Sequence, residues 1–367
     1  MCATLSRRCQ HALVATAVIA PETQVEHITG FASSSGHHVT AAANVQRALV
    51  IHPSEGFEAV RLPTCVPYHL EATVRVLQRR PTNLVDLWKD DRYLRVIATA
   101  DGLVLIEVAN RGKIDEPDVQ FSLRWGNLSI TTVQQVGQRI RTMLGLDVDP
   151  RPLQRLAEAE YKLRPTALAL RGMRPPRFAE LFETFANVMP FQQLSLDAGA
   201  AIVARLVERF GEHLEHGGLR FHAFPTASAI AEARLDALRK CGLSFRKAES
   251  LRYIAKAIAS GELTEKKISG LSTNDALKTL AELPNIGPWS ASLVLLRGFG
   301  RLDVFPPGDV GAVRGLRALM RLGPRASLER IVERFGERRG YLYFCALGGS
   351  LLAKRLIHAA SPVPPLS

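Results

Sequence analysis

The sequence predicts an α+β protein, in which a small N-terminal α+β domain built on an antiparallel sheet is followed by a larger all-α domain. Three observations predict it. Strand-like runs at Tyr93–Thr99 and Leu103–Val108 flank Ala100-Asp101-Gly102, whose Asp-Gly pair tolerates the positive φ of a tight hairpin. Beyond Pro150 the pattern changes to helix-length segments divided by Gly, Pro and Ser/Thr caps, with no convincing strand. A chain of 367 residues, 47% hydrophobic with mean hydropathy +0.03, is long enough for two or three domains with real cores.

Residues 1–59 carry a Ser/His/Ala-rich patch around residues 32–38 and no clear periodicity, so they are left as an unassigned extension. The apolar run Ala12–Ala20 after Arg7 and Arg8 has the outline of a weak signal peptide, but it reads better as a buried strand or an untidy extension. His37 and His38 read as loop residues rather than ligands. In the α+β domain, residues 60–148, the spacing of Leu70, Val74 and Leu77 predicts a helix over His69–Gln78, ended by Arg79-Arg80-Pro81. A third strand is expected over Val119–Arg124. Val133, Val136, Ile140 and Leu144 then mark one side of a helix over Ser129–Leu144, and Gly145 to Pro150 closes the domain.

In the remainder, residues 149–367, Arg171 to Arg177 reads as a stiff basic loop and Phe178–Met189 as a helix. Phe191-Gln192-Gln193-Leu194 breaks the pattern before a helix over Ser195–Phe210. Phe224-Pro225-Thr226-Ala227 caps a further helix, and Gly242-Leu243-Ser244 precedes one that begins at Phe245.

A net charge of +12 and a pI near 9.8 point to a polyanionic partner, because Lys and Arg neutralise phosphates. Solubility alone is the plainer reading. No run approaches the ~18 apolar residues needed to cross a bilayer. The five cysteines, Cys2, Cys9, Cys65, Cys241 and Cys345, form no C-x-x-C pair, which argues against a disulfide framework and against a zinc or iron–sulfur site. A reducing, cytoplasmic location follows.

The stretch with most chemistry is Leu283-Pro284-Asn285-Ile286-Gly287-Pro288-Trp289-Ser290-Ala291. Helices are expected over Asn274–Glu282, with Thr273 or Asn274 as N-cap, and over Trp289–Arg297. The tight turn between them aims amides outward at the positive end of the second helix's dipole, an arrangement suited to a phosphate and blind to sequence. An ordinary turn between helices is the structural alternative. Downstream, Asp309 stands at the start of a helix running toward Leu319, where its plain role is an N-cap for Gly311 or Ala312. Arg314, Arg317, Arg321 and Arg325 recur at helical spacing, giving either a solvated face or a phosphate-tracking surface.

Together L-P-N-I-G-P-W-S-A and D-V-F-P-P-G-D resemble the helix-hairpin-helix DNA glycosylases, specifically the DNA-3-methyladenine glycosylase II (AlkA-type) branch. Gln192-Gln193-Leu194-Ser195, Phe224-Pro225-Thr226 and Leu243-Ser244-Phe245-Arg246-Lys247-Ala248-Glu249 resemble further segments of that branch, so the likeness covers about residues 60 to 358. It implies that Asp309 is catalytic and that Asn285, Gly287, Trp289 and Ser290 hold a DNA phosphate, with a monovalent ion near Gly287. It also implies that the segment Gln192-Gln193 probes the gap in the duplex and that Trp289, Gln192, Leu293 and Leu347 border the base pocket, while the phosphate-tracking reading of the arginine stripe would place Arg314 and Arg317 on DNA. Leu293 and Leu347 depart from the family by standing where its best-known members have aromatic residues.

Bifunctional relatives carry a lysine nucleophile at the position of Trp289, so a monofunctional enzyme without Schiff-base chemistry is expected. The implied partner is double-stranded DNA with damaged bases, met by a monomer that needs no cofactor. The implied reaction is hydrolysis of the N-glycosidic bond of a flipped alkylated purine. Two alternatives stand beside it: a non-catalytic helix-hairpin-helix DNA-binding protein, and a glycosylase for oxidised or mismatched bases.

Overall fold

The computed structural model describes residues 59–360, apart from Leu128, Pro324 and the side chains of residues 157–159. The N-terminal run and the two histidines of the extension lie outside the described residues. The first domain runs β1 (Val60–Arg61), α1 (Leu70–Gln78), β2 (Leu87–Lys89), β3 (Arg92–Thr99), β4 (Gly102–Asn110), β5 (Val119–Trp125) and α2 (Ile130–Leu144). The strands form one antiparallel sheet in the order β1-β5-β4-β3-β2. The predicted helices and three strands are present. The two edge strands, β1 and β2, were not anticipated, since two and three residues are too few to show an alternating pattern. Asp101 does more than turn the β3–β4 hairpin: its carboxylate accepts from Thr132 Oγ1 and from the Ser129 amide at 3.0 Å, which lowers its pKa and fastens the start of α2.

The second part continues with α3 (Arg151–Ala159), α4 (Arg164–Ala169), α5 (Leu181–Ala186), a 3-10 turn at Met189–Phe191, α6 (Leu196–Phe210), β6 (His213–His216) and β7 (Leu219–His222). It then runs through α7 (Ala227–Glu232), α8 (Leu235–Lys240), α9 (Phe245–Ala259), α10 (Glu265–Ser269), α11 (Thr273–Ala281) and α12 (Pro288–Gly298). The chain ends with α13 (Val310–Leu319), α14 (Leu328–Arg334) and α15 (Gly340–Ala353). Ser195, Thr226 and Ser244 cap α6, α7 and α9, each accepting an amide hydrogen bond three residues on. Helix α15 is buried almost all round, with Gly349 so close to Leu319 that an added Cβ would meet its Cδ1 at 2.9 Å.

Three expectations are corrected. The part beyond residue 149 is not purely helical: β6 and β7 form a hairpin about Gly217 and Gly218, whose φ values of 56° and 73° suit a tight turn. Only Leu214 and Phe221 of this polar hairpin are buried, packing on Val96 and Leu105 of the sheet's other face, so its sequence carries little apolar signal. The helix expected over Phe178–Met189 is the shorter α5, because Pro190 forces a 3-10 turn. Ser272, not Thr273 or Asn274, caps α11, with its Oγ 3.2 Å from the Asp275 amide. The loop expected from Arg171 to Arg177 is present, and Arg171 and Arg174 are buried in it. Arg174 is 1% exposed and donates to the carbonyls of Cys65, Pro67, Val148 and Gly172 at 2.7 to 2.9 Å, bolting the two parts together.

Helix α1 serves both cores. Leu70, Val74 and Leu77 pack in the sheet core, whereas Ala72 and Val76 belong to the helical core. A buried ion cluster makes a second link between the two parts. Arg95 on β3 donates to Asp86 at 2.6 Å and to Glu183 on α5 at 2.5 Å, all three being at most 5% exposed. Asp86 also accepts from Tyr93 Oη at 2.7 Å. One guanidinium faces two carboxylates, and Glu183 has the fewer donors. Burial therefore pushes the Glu183 carboxyl up to about 7, against the pull of Arg95.

Two outcomes follow for stability. Arg95→Met leaves two buried carboxylates without their cation and is expected to cost about 3 to 5 kcal/mol in chemical denaturation. Glu183 binds its proton more tightly folded than unfolded, so its favourable contribution is complete below the unfolded value of 4.5 and is lost as pH rises through about 7. Glu183→Gln is expected to flatten that decline between pH 4.5 and 7, measured as unfolding midpoints across the range.

Candidate active site

The site begins with the turn between α11 and α12. Leu280 and Ile286 are buried and anchor it, and Asn285 takes the left-handed conformation at φ 62°, which Asn tolerates better than most residues. Gly287 is the N-cap of α12 and has no side-chain cap, and Pro288 at the first helical position has no N–H. The amides of Gly287, Trp289 and Ser290 precede the first intrahelical donors, so they are available to an external acceptor. Gly287 is exposed, and nothing lies within 4 Å of where its Cβ would be. That is the local geometry of an anion site.

Ser290 and Gln192 turn out to have inward tasks. Gln192 Nε2 donates to the Asn285 carbonyl at 2.8 Å and to Ser290 Oγ at 2.9 Å, while Asn285 Nδ2 returns a bond to Gln192 Oε1 at 2.9 Å. Gln192 therefore does not offer its amide to a base, and Ser290, 2% exposed, offers its backbone rather than its hydroxyl. Its neighbour Gln193 is exposed and held at φ 56°. Lys247 on α9 closes the arrangement, its Nζ 2.6 Å from the Gln192 carbonyl and 3.4 Å from that of Pro190, and burial lowers its pKa. The sequence reading quoted Lys247 within a motif without giving it a task. Its target lies 55 residues away, so no local pattern marks it.

Asp309 is both the expected cap and more. Gly308 at φ 69° turns the chain after Pro306 and Pro307, and Asp309 Oδ1 then accepts from the Ala312 amide at 2.7 Å, capping α13. Its Oδ2 accepts from Trp289 Nε1 at 3.0 Å. The indole thus fixes the second carboxylate oxygen beside the hairpin, and each oxygen keeps a further lone pair for another partner. Trp289 is half-buried against the helical core, leaving part of its surface open.

Other expected site residues are distributed unevenly. Leu293 is 3% exposed inside the helical core and presents no surface to an incoming base. Leu347 is half-buried against the same core. Arg317 spends its guanidinium on the carbonyls of Gly323 and Ala326, at 3.1 and 2.9 Å, which pins the loop after α13. Arg321 lies past the C-cap of α13 at φ 47°, so the expected four-arginine face is interrupted. Arg314 remains exposed on α13, one turn beyond Asp309. Among the described residues no group of three His, Cys, Asp or Glu is placed to hold a metal ion, and no helix is long and apolar enough to cross a membrane.

This geometry has counterparts among known proteins. Residues 187–338 match the family described as the HhH-GPD superfamily base excision DNA repair protein, and residues 59–180 match the AlkA N-terminal domain. The chain is 29% identical over 200 residues to a DNA-3-methyladenine glycosylase of Bacillus subtilis, covering 54% of this chain and 66% of that protein. It is 33% identical over 279 residues to a probable bifunctional transcriptional activator/DNA repair enzyme AlkA of Mycobacterium tuberculosis, covering 74% of this chain and 52% of that one. The chain thus spans between half and two thirds of the length of these relatives. A solved 3-methyladenine DNA-glycosylase from Archaeoglobus fulgidus superposes with a TM-score of 0.66 at 28% identity, covering 81% of this chain and 99% of that one. With both of its parts matched and the hairpin and carboxylate in place, the chain carries an HhH-GPD superfamily base excision DNA repair domain over residues 187–338 and an AlkA N-terminal domain over residues 59–180.

Proposed function

We propose that this protein is a monofunctional DNA glycosylase of base excision repair that hydrolyses the N-glycosidic bond of alkylated, 3-methyladenine-type purines flipped out of duplex DNA. One observation carries the reading: the Asp309 carboxylate is oriented by the Trp289 indole, and Trp289 belongs to the first turn of the helix whose amides form the anion site. The named activities of the Bacillus and Archaeoglobus relatives support the same substrate class.

The hairpin amides of Gly287, Trp289 and Ser290 grip a phosphate of the damaged strand, in a turn shaped by Asn285, which brings the sugar of the target nucleotide toward Asp309. A monovalent cation beside Gly287 fits the open space there and would supply charge neutralisation for that phosphate. Gln193 enters the gap left by the extruded base, and Arg314 adds a backbone contact. Cleavage develops oxocarbenium character on the sugar, and the fixed carboxylate of Asp309 opposes that positive charge. An alkylated purine is cationic and leaves with little proton assistance, which suits a site with one carboxylate. The open part of Trp289, together with Leu347, borders the base, where an electron-poor ring gains a cation–π contribution of about 0.5 to 2 kcal/mol. No lysine stands at Trp289 to form a Schiff base, so strand cleavage does not accompany release. The reaction takes place in the cytoplasm, where the free thiols of Cys65, Cys241 and Cys345 stay reduced, with the protein acting as a monomer.

Asp309→Asn keeps an equally good helix cap, so the fold and DNA affinity are expected to survive. Single-turnover release of 3-methyladenine is expected to fall by about 100- to 1000-fold. If wild type binds duplex but releases no base, Asp309 is only a cap and the protein is a binding module. Trp289→Phe keeps an aromatic face but removes the indole donor, and is expected to slow release about tenfold, as loss of one hydrogen bond to a charged group would. An unchanged rate in that variant would show that the indole does not position the carboxylate.

A further inference from the structure

The turn carrying Gln193 is held far more firmly than an exposed loop requires. A non-glycine residue at φ 56° persists only where its surroundings over-determine the backbone, and here they do so from several directions. Lys247 grips the carbonyls on either side of Phe191. The Phe191 ring lies on Gly199 of α6, where an added Cβ would meet it at 2.3 Å. The guanidinium of Arg79 stands over the same ring, 5.2 Å from its centroid, and 5.4 Å from that of Phe178. Its Nη1 lies 3.5 Å from the Asn187 carbonyl, at the entry to the 3-10 turn.

Arg79 does not come from the helical part of the chain. It is the first residue beyond α1, itself at φ 61°, and so belongs to the stretch matched by the AlkA N-terminal domain. Arg80 beside it pairs with Asp197 in the first turn of α6 at 2.8 Å, which keeps the end of α1 against this region. We propose that Arg79 and Lys247 are positioning residues that clamp the Phe191–Gln193 turn, so that Gln193 is driven into the duplex as a rigid wedge and the N-terminal domain takes a direct part in base extrusion. The inference rests on the glycosylase reading above. A side chain entering a base stack must resist the tendency of the displaced base to return, and a turn free to yield would lose that contest. Arg79 acts through the face of an aromatic ring, which a guanidinium or ammonium satisfies and a thioether does not.

The test uses the full chain and two duplexes carrying the same methylated purine, one opposite its complementary base and one within a short run of mismatches where it is already unpaired. Wild type, Arg79→Met, Arg79→Lys and Lys247→Met are compared by single-turnover base release. A clamp acts on extrusion, so each Met variant is expected to slow release from the paired duplex by about tenfold or more, with the unpaired duplex within about twofold of wild type. Arg79→Lys is expected to retain most of the paired rate. Equal losses on both duplexes would mean a general packing defect and overturn the proposal, as would full activity of both Met variants. Release from neither duplex by wild type would sink the glycosylase reading itself, and the clamp with it.

Discussion

The reciprocal amide pair between Gln192 and Asn285 is the contact on which the candidate site depends. Its two residues lie 93 positions apart in the chain, and it joins two segments that each contain a left-handed residue, Gln193 in one and Asn285 in the other. Three hydrogen bonds of 2.8 to 2.9 Å brace the two segments against each other. The distance between the α11–α12 hairpin and the Gln193 turn is thereby fixed. Under the proposed function, one would hold the DNA backbone while the other displaces a base, and that distance would have to be constant.

The carboxylate is treated in the same way. Asp309 meets a helix amide with one oxygen and an indole with the other, so it is oriented without a cationic partner that would neutralise it. A guanidinium at that position would offset the negative charge that the proposed reaction would draw on. Elsewhere the chain does pair its buried ions closely, as with Arg95, Asp86 and Glu183, where the task is to hold two parts together. The contrast separates electrostatics used for cohesion from electrostatics kept for chemistry.

Much of this was legible from the sequence because it is local. The hairpin, the caps at Ser195, Thr226 and Ser244, the β3–β4 turn and Asp309 as N-cap all follow from spacing over a few residues. What escaped is long-range or polar. The β6–β7 hairpin buries one side chain per strand, too little to register as alternation, and nothing local in the basic loop marks the four carbonyls that Arg174 bonds. The family resemblance gives Gln192 and Ser290, and helical spacing gives Arg317, a task toward DNA. Each instead satisfies buried or loop carbonyls and hydroxyls that local sequence cannot announce.

The division of α1 between two cores changes how modular the chain is. An N-terminal domain recognisable by its own family pattern suggests a cassette that recombination can exchange between relatives. Here one helix supplies Ala72 and Val76 to the helical core, and Arg297 lies buried between the rings of Phe178 and Phe344 with both terminal nitrogens 3.4 Å from the Val76 carbonyl. A transplanted domain would have to arrive with matching volume on the reverse face of that helix. The boundary drawn by sequence families is therefore not a seam in the molecule, and the two halves are constrained to drift together.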